Sequence, residues 1–312
     1  MYGQRNRRIF EGEIMKNVIV TGANGFIGSS LIKKLIDNNT NVIALDVSFN
    51  PSRLPQSDLV MEIELGLDDV EKLMEAIPSD EYDAFYHFAW AGVNGPAKAD
   101  HIVQLQNINM VMNCATVAKR INVKKFLCAG TIAERATESL PSLTTTSGGM
   151  MYGVAKYAAH LMLETYCKNM GLDFIWMQFS NIYGPSNKTG NLVSYTIEEL
   201  KKGKEATFGP ALQPYDFIYV EDLIEAVMRL GDRATTKNCY FIGSGEPRQL
   251  KDYLNEIGYQ YGREDLIQIG VRQDDGIRYS FEMFDTTVLY KDIGNYISKS
   301  FTEGIKYTLE NY

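Results

Sequence analysis

Val18-Ile19-Val20-Thr21-Gly22-Ala23-Asn24-Gly25-Phe26-Ile27-Gly28 starts as a β-branched apolar run, turns through two glycines and enters a segment of helical period. The run reads as a buried strand. In residues 26–37 Ile27, Leu31 and Leu35 recur every four residues, with Ile32 and Ile36 beside them, so one apolar stripe faces a sheet. Gly22 and Gly25 let the turn tighten and its backbone approach a pyrophosphate, and Gly28 lets the helix sit close on the strand. The helix start adds unpaired N–H groups and the positive end of the helix dipole. The spacing is GxxGxxG, not GxGxxG. Strand before and helix after give this triplet a meaning that glycine spacing alone lacks. Gly22, Asn24, Gly25, Phe26, Ile27 and Gly28 are therefore expected to cradle a dinucleotide.

Outward from this unit, short apolar segments at 41–45, 58–62, 84–89, 125–129, 174–179 and 238–242 join the strand at 17–21. Stretches of helical length separate them, a pattern that predicts βαβ units. The fold class is α/β, a doubly wound, Rossmann-like parallel sheet. After about residue 180 glycine and proline become frequent, at Gly184-Pro185, Gly190, Gly203 and Gly209-Pro210, and irregular substrate-binding elements are expected there. Repeats of solenoid type are not seen.

Composition narrows the function. Of 312 residues, 45% are hydrophobic and 22% charged, as in ordinary folded proteins. The 31 Lys and Arg against 39 Asp and Glu leave a net charge of −8 and no basic stripe, which argues against nucleic acid as a partner. No apolar run reaches the roughly 18–20 residues a membrane span needs. Cys114, Cys128, Cys167 and Cys239 form no CxxC pair, so free thiols in a reducing cytoplasm are expected. Residues 1–14 carry three arginines and no apolar core, unlike a secretory signal. They read as an extension before Met15.

Asp46 closes the second strand, where a carboxylate accepts ribose hydroxyls and repels a 2′-phosphate. That favours NAD. Arg53, a few residues on, is placed to pair with such a phosphate, so NADP stays open. Tyr152 and Lys156 lie four apart, on one face of a helix expected to run to about Tyr166. A phenol with a reference pKa of about 10 is a poor base at neutral pH, and an adjacent ammonium favours its phenolate. Thr131, after the strand at 125–129, offers a hydroxyl to the same substrate oxygen. In a chain with 19 tyrosines one Tyr-xxx-Lys says little, but its order after a glycine turn and a strand-end Thr says much.

With these residues the chain resembles the extended short-chain dehydrogenase/reductase superfamily, in its NAD-dependent epimerase/dehydratase branch that acts on nucleotide sugars. The matching stretches are Thr21 to Gly28, Asp46, His87-Phe88-Ala89-Trp90-Ala91, Asn109, Gly130-Thr131 and Tyr152-xxx-Lys156. Further matches are Ser180-Asn181-Ile182-Tyr183-Gly184-Pro185 and Asp216-Phe217-Ile218-Tyr219-Val220-Glu221-Asp222-Leu223. The resemblance implies a catalytic triad of Thr131, Tyr152 and Lys156. It puts Phe88 and Ala89 against the cofactor and Asn181 where substrate meets it. The strand near Asn238 is expected back in the main sheet. A dinucleotide-binding domain over 15–180 plus 217–246 and a smaller substrate-binding subdomain over 181–216 plus 247–312 follow. Homodimers through the helix bearing the catalytic Tyr are implied in the same way.

Departures bear on the reaction. Where many members have Arg, this chain has Gln178 and Tyr215, and the second of those arginines typically grips the nucleotide diphosphate. Arg278 and Arg272 are the candidate replacements, Arg278 by resemblance to another phosphate contact. The family's 4,6-dehydratases carry Asp-Glu directly after the catalytic Thr. Here Ile132 and Ala133 follow, with Glu134 one residue beyond, so water elimination is disfavoured. An NAD-dependent nucleotide-sugar epimerase acting through a keto-sugar leads, ahead of an NAD(P)H-dependent 4-keto-6-deoxy-sugar reductase and a catalytically silent NAD(P)-binding interaction protein. His87 reads as a strand-end residue. His101 and His160 have no partners at metal-ligand spacing, so no metal is expected. Met150 and Met151 read as core or as the wall of a sugar pocket.

Overall fold

β1 (Asn17–Thr21) is buried along all but its first residue, as a strand covered by helices on both faces must be. It sits inside a seven-stranded parallel sheet of order β11-β6-β5-β4-β1-β2-β3. The computed structural model describes residues 15–142, 147–274, 276 and 278–312. The other sheet strands are β2 (Asn41–Asp46), β3 (Val60–Glu64), β4 (Ala84–His87), β5 (Lys125–Thr131), β6 (Phe174–Phe179) and β11 (Cys239–Ile242). Three two-stranded pieces lie outside the sheet. They pair β7 (Asn181–Tyr183) with β10 (Phe217–Tyr219), β9 (Pro214–Tyr215) with β12 (Arg248–Gln249), and β8 (Ala206–Thr207) with β13 (Ile267–Gln268).

The strand period of two sorts side chains into two cores. Val18, Val20, Leu127 and Met177 point to one face, where α1 (Phe26–Asp37), α5 (Leu192–Lys201) and α6 (Val220–Asp232) cover them. Ile19, Phe126, Cys128 and Trp176 point to the other, under α2 (Val70–Ala76), α3 (His101–Arg120) and α4 (Met150–Met170). On α1 the stripe Leu31, Ile32 and Leu35 is fully buried, each side chain contributing at most about 1.5–3 kcal/mol. α7 (Leu250–Tyr261), α8 (Thr287–Ile293) and α9 (Phe301–Asn311) complete the chain. Ser300 and Glu303 form a reciprocal capping box at the start of α9.

From β1 the chain runs outward through β2 to β3, then crosses back to β4 and proceeds the other way. The strand order reverses between β1 and β4, and parallel sheets bind ligands in the crevice beyond such a point.

The expected α/β sheet is present, including the return of the strand near Asn238, now β11 beside β6. α1 and β6 span the residues read from sequence. β3 lies two residues later than expected: it is an edge strand, exposed at three of its five residues, and its register comes from pairing Val42 with Val60. β4 stops at His87 instead of residue 89, because Phe88 and Ala89 leave the ladder to line a cleft. β5 continues to Thr131 through pairing with Phe179. The extension 1–14 lies outside the described residues.

Candidate active site

The glycine turn is built by close backbone approach. Gly22 has φ +68°, and a Cβ on it would lie 2.7 Å from the Ala89 backbone nitrogen. Its carbonyl accepts the Gly25 N–H at 3.1 Å. A Cβ on Gly28 would run into that same carbonyl, so helix and turn meet without a side chain between them. Gly25 caps α1 with no side-chain hydrogen bond, and the first turn holds no acidic residue. The N–H groups that begin α1 are left for a ligand, and a diphosphate is the anion that such a cradle fits.

Asp46 ends β2 against the turn. One carboxylate oxygen accepts the Asn24 N–H at 2.9 Å and the other accepts the Val47 N–H at 2.7 Å. The Asn24 side chain donates to the Ser48 and Pro51 carbonyls and accepts the Arg53 N–H at 2.7 Å. Turn, β2 end and the loop after it thus form one wall of a cleft of roughly 850 Å³. Gly22, Asn24, Gly25, Phe26, Ile27, Gly28, Asp46, Arg53, Phe88 and Ala89 all line it. This wall suits the adenosine half of NAD, with a carboxylate in place for the ribose hydroxyls.

Thr131, Tyr152, Lys156 and Asn181 line the far part of the same cleft. β5 delivers Thr131 at its last residue, and α4 delivers Tyr152 and Lys156 one turn apart. Lys156 is buried, its Nζ donating to the Ala129 carbonyl at 2.6 Å and lying 3.7 Å from the centre of the Trp90 ring. Burial pushes its pKa down to about 7, against an upward pull from Glu134 and Cys128. Burial raises the Tyr152 phenol above its ordinary value, while a hydrogen bond from Thr131 draws it back. The Tyr152 ring meets Trp90 edge-on at 6.3 Å. Trp90 is itself anchored, its Nε1 donating to Gln104 at 2.9 Å.

Asn181 donates to the Asp216 carbonyl at 3.1 Å and accepts the Tyr215 hydroxyl at 3.0 Å. Arg278 is not brought to the cleft. It is exposed and paired with Asp274 at 2.7 Å, an ion pair four residues apart. Arg272 bonds Thr207 and Tyr195 instead. Gln178 faces away from the cleft, between Glu134 and Arg135. Glu134 lies with it, on the face of the sheet that α4 covers. Asn109 is exposed, and the residue holding the loop after β4 is Asn107, which bonds both the N–H and the carbonyl of Ala91 at 2.8 Å. Only one helical face meets that loop, and position 107 is on it. Neither Met150 nor Met151 is among the lining residues described.

His87 is buried at the end of β4 with Nδ1 2.9 Å from the Thr21 hydroxyl. Burial, helped by the Lys156 charge, pushes its pKa down to about 3, so the ring is neutral. Among the described residues no group of three or more potential ligands could hold a metal ion, and no helix is long and apolar enough to cross a membrane. All four cysteines are free thiols.

Trp90 stands beside Phe88 and Ala89, and sequence reasoning gave it no role although its position in that motif pointed to the cleft. Asn187, Thr189 and Asn191 also line the cleft, from the Gly- and Pro-rich stretch where no periodicity marks them.

Comparison with known proteins follows from this geometry. Residues 18–243 match the NAD dependent epimerase/dehydratase family. An uncharacterized epimerase/dehydratase of Staphylococcus aureus strain USA300 is 26% identical over 259 residues, 78% of this chain and 80% of that protein. The UDP-glucose 4-epimerase of Thermotoga maritima, solved with UDP-glucose, superposes with a TM-score of 0.78 at 23% identity, over 95% of this chain and 98% of that one. The dTDP-glucose 4,6-dehydratase of Bacillus anthracis, solved with NAD, gives 0.78 at 19% identity over 95% and 96%.

Proposed function

Because this chain belongs to the NAD dependent epimerase/dehydratase family, we propose that it is an NAD-dependent nucleotide-sugar epimerase working through a keto-sugar intermediate. The observation that carries this reading is the shared cleft: Thr131, Tyr152 and Lys156 open onto the same space as the Gly22–Gly28 cradle and Asp46. Bound NAD supplies a reversible acceptor for the hydride of a sugar carbinol. Tyr152 takes the hydroxyl proton as the hydride departs and returns it after the sugar presents its other face. Thr131 holds the reacting oxygen, and Lys156 as an ammonium favours the phenolate. Phe88, Phe179 and Ile182 give this part of the cleft an apolar lining. Asn181, braced by Tyr215, is the residue proposed to meet the sugar.

Elimination of water asks for an acid and a base beside Thr131. Ile132 and Ala133 supply neither, and the Glu134 carboxylate is buried against Trp176 and Gln178, outside the lining of the cleft. An epimerase regenerates its cofactor each turn and keeps it, whereas a keto-sugar reductase must release it. Denaturing the freshly purified protein and separating the released nucleotides is expected to give close to one NAD per chain. Protein that emerges empty and takes up reduced cofactor only on addition would instead make it the reductase.

The reading extends to assembly. Ile102 and Leu105 on α3 and Val154, Tyr157, Leu161 and Met162 on α4 are large apolar side chains left exposed on two helices that pack together. Paired with a second copy they would form a four-helix interface, and a homodimer is proposed on that basis. Sedimentation is expected to give twice the 35.2 kDa chain mass. Leu161→Glu should return the protein to the single-chain value with its fold intact.

A further inference from the structure

The Glu134 side chain is completely buried among β5, β6 and α4, outside the lining of the cleft. Three N–H groups point at it. Oε1 accepts the Thr131 backbone N–H at 2.7 Å, Oε2 accepts the Gln178 side chain at 3.0 Å, and Trp176 Nε1 straddles both at 3.1 and 2.9 Å. Donors at both oxygens require a group that only accepts, which a carboxylate is and a glutamine is not. The space is kept open by Gly130, where a Cβ would approach Glu134 Oε1 to 2.7 Å and strike Trp176. Arg135 completes the shell by donating to the far side of Gln178 at 2.9 Å. Thus the residue before Thr131, the backbone of Thr131 and two side chains of β6 are all organised around one carboxylate.

We propose that Glu134 is a positioning residue for the candidate active site: its carboxylate holds the Thr131 backbone N–H and, through the Trp176 indole that it bonds, sits against the surroundings of Lys156. The inference rests on the catalytic reading of Thr131 and Lys156, and its test is arranged to stand apart from it.

The groups facing Lys156 among the described residues are Glu134, Cys128 of β5 and His87 of β4, with the Trp90 and Trp176 rings. Those around Glu134 are His160 of α4, whose Nδ1 is 3.6 Å away without a hydrogen bond, Arg135 beyond Gln178, Tyr152, and Cys239 of β11. Burial holds the Cys128 thiol well above its usual value and pushes Cys239 up to about 12, while His87 is driven down to about 3. These three are neutral at pH 7. Among the described residues that leaves Glu134 as the source of the upward pull on Lys156, and removing that pull lets desolvation drive the ammonium toward the neutral amine.

The chain has two tryptophans, and both lie against Lys156: Trp90 at 3.7 Å and Trp176 at 5.9 Å from ring centre to Nζ. In tryptophan fluorescence of the purified protein, titrated with pH and without substrate, the component that Lys156→Met removes therefore reports loss of the Lys156 proton, as distinct from any contribution of the His160 ring stacked on Trp176 at 5.0 Å. That component is expected near pH 7 in the wild type. Glu134→Gln should lower its midpoint by roughly one pH unit. Glu134→Asp keeps the charge but retracts it from Thr131, so the midpoint should stay near the wild-type value while kcat falls and KM holds. A folded Glu134→Gln protein with an unmoved midpoint overturns the proposal. If Glu134→Gln does not fold, Glu134→Asp decides alone: a midpoint displaced by about a full unit, or an unchanged kcat, counts against it. Because fluorescence needs no turnover, a wrong substrate assignment leaves that arm standing.

Discussion

Tyr152→Phe is expected to cut turnover by about 10²- to 10⁴-fold, the contribution typical of a positioned general acid–base group. The substitution removes one oxygen. The ring stays edge-on to Trp90 at 6.3 Å, and Lys156 keeps its bond to the Ala129 carbonyl, so cofactor binding and the melting temperature should stay close to wild type. Single-turnover appearance of reduced nicotinamide absorbance, followed with a panel of nucleotide sugars, separates the chemical step from binding. A variant that reacts as fast as the parent would remove Tyr152 from the mechanism. The pH dependence has a definite sign. Lys156 aids the phenolate only while protonated, and with its pKa lowered to about 7 that aid is lost as pH rises through this value in the free protein.

Gly22→Ala is expected to empty the cofactor site and to destabilise the fold by about 2–5 kcal/mol, from backbone strain and overpacking together. Two costs coincide there. The residue has φ +68°, and the added methyl would press on Ala89 and Phe88 backbone atoms at 2.7–2.9 Å, which cannot move aside as a side chain can. Gly171→Ala separates these costs. It ends α4 at φ +61° with nothing within 4 Å of an added Cβ, so it pays only the left-handed strain, about 1–2 kcal/mol. Thermal melts and nucleotide content of the two variants give the comparison. Equal losses in both would mean that the approach of Gly22 to Ala89 contributes nothing.

What the sequence disclosed follows from the physics of each element. The β1–turn–α1 unit was legible because its signals are local: a buried apolar run, glycines at a tight turn and a helical stripe through Leu31 and Leu35. β6, buried at every position, was legible for the same reason. β3 was misplaced by two residues because an edge strand with three of its five residues exposed and none buried carries a weak pattern, and its register depends on a partner strand. The gathering of Thr131, Tyr152 and Lys156 on the cleft could be expected from their order, since β5 and α4 are adjacent in any sheet of this winding. The place of Arg278 could not, because an arginine four residues after an aspartate has a partner in its own loop. Glu134 was ambiguous for a further reason: three residues past a strand end, the chain can turn toward either face. Its direction was set by donors on β6, Trp176 and Gln178, more than 40 residues away.

The late return of β11 has a bearing on how the chain is made. β6 is buried along its whole length and takes its outer neighbour from Cys239–Ile242, after β7 to β10 and two helices have been laid down elsewhere. At ~5–20 residues per second, the stretch from 180 to 242 takes roughly 3–13 s to emerge. For that interval a nascent chain presents the backbone edge of Phe174–Phe179 without its partner, the kind of edge that invites pairing with another chain. The finished protein has no such exposure at β6. Its aggregation hazard belongs to biosynthesis, and slow codons or chaperone contact between those positions would act on yield without touching a single contact of the native state.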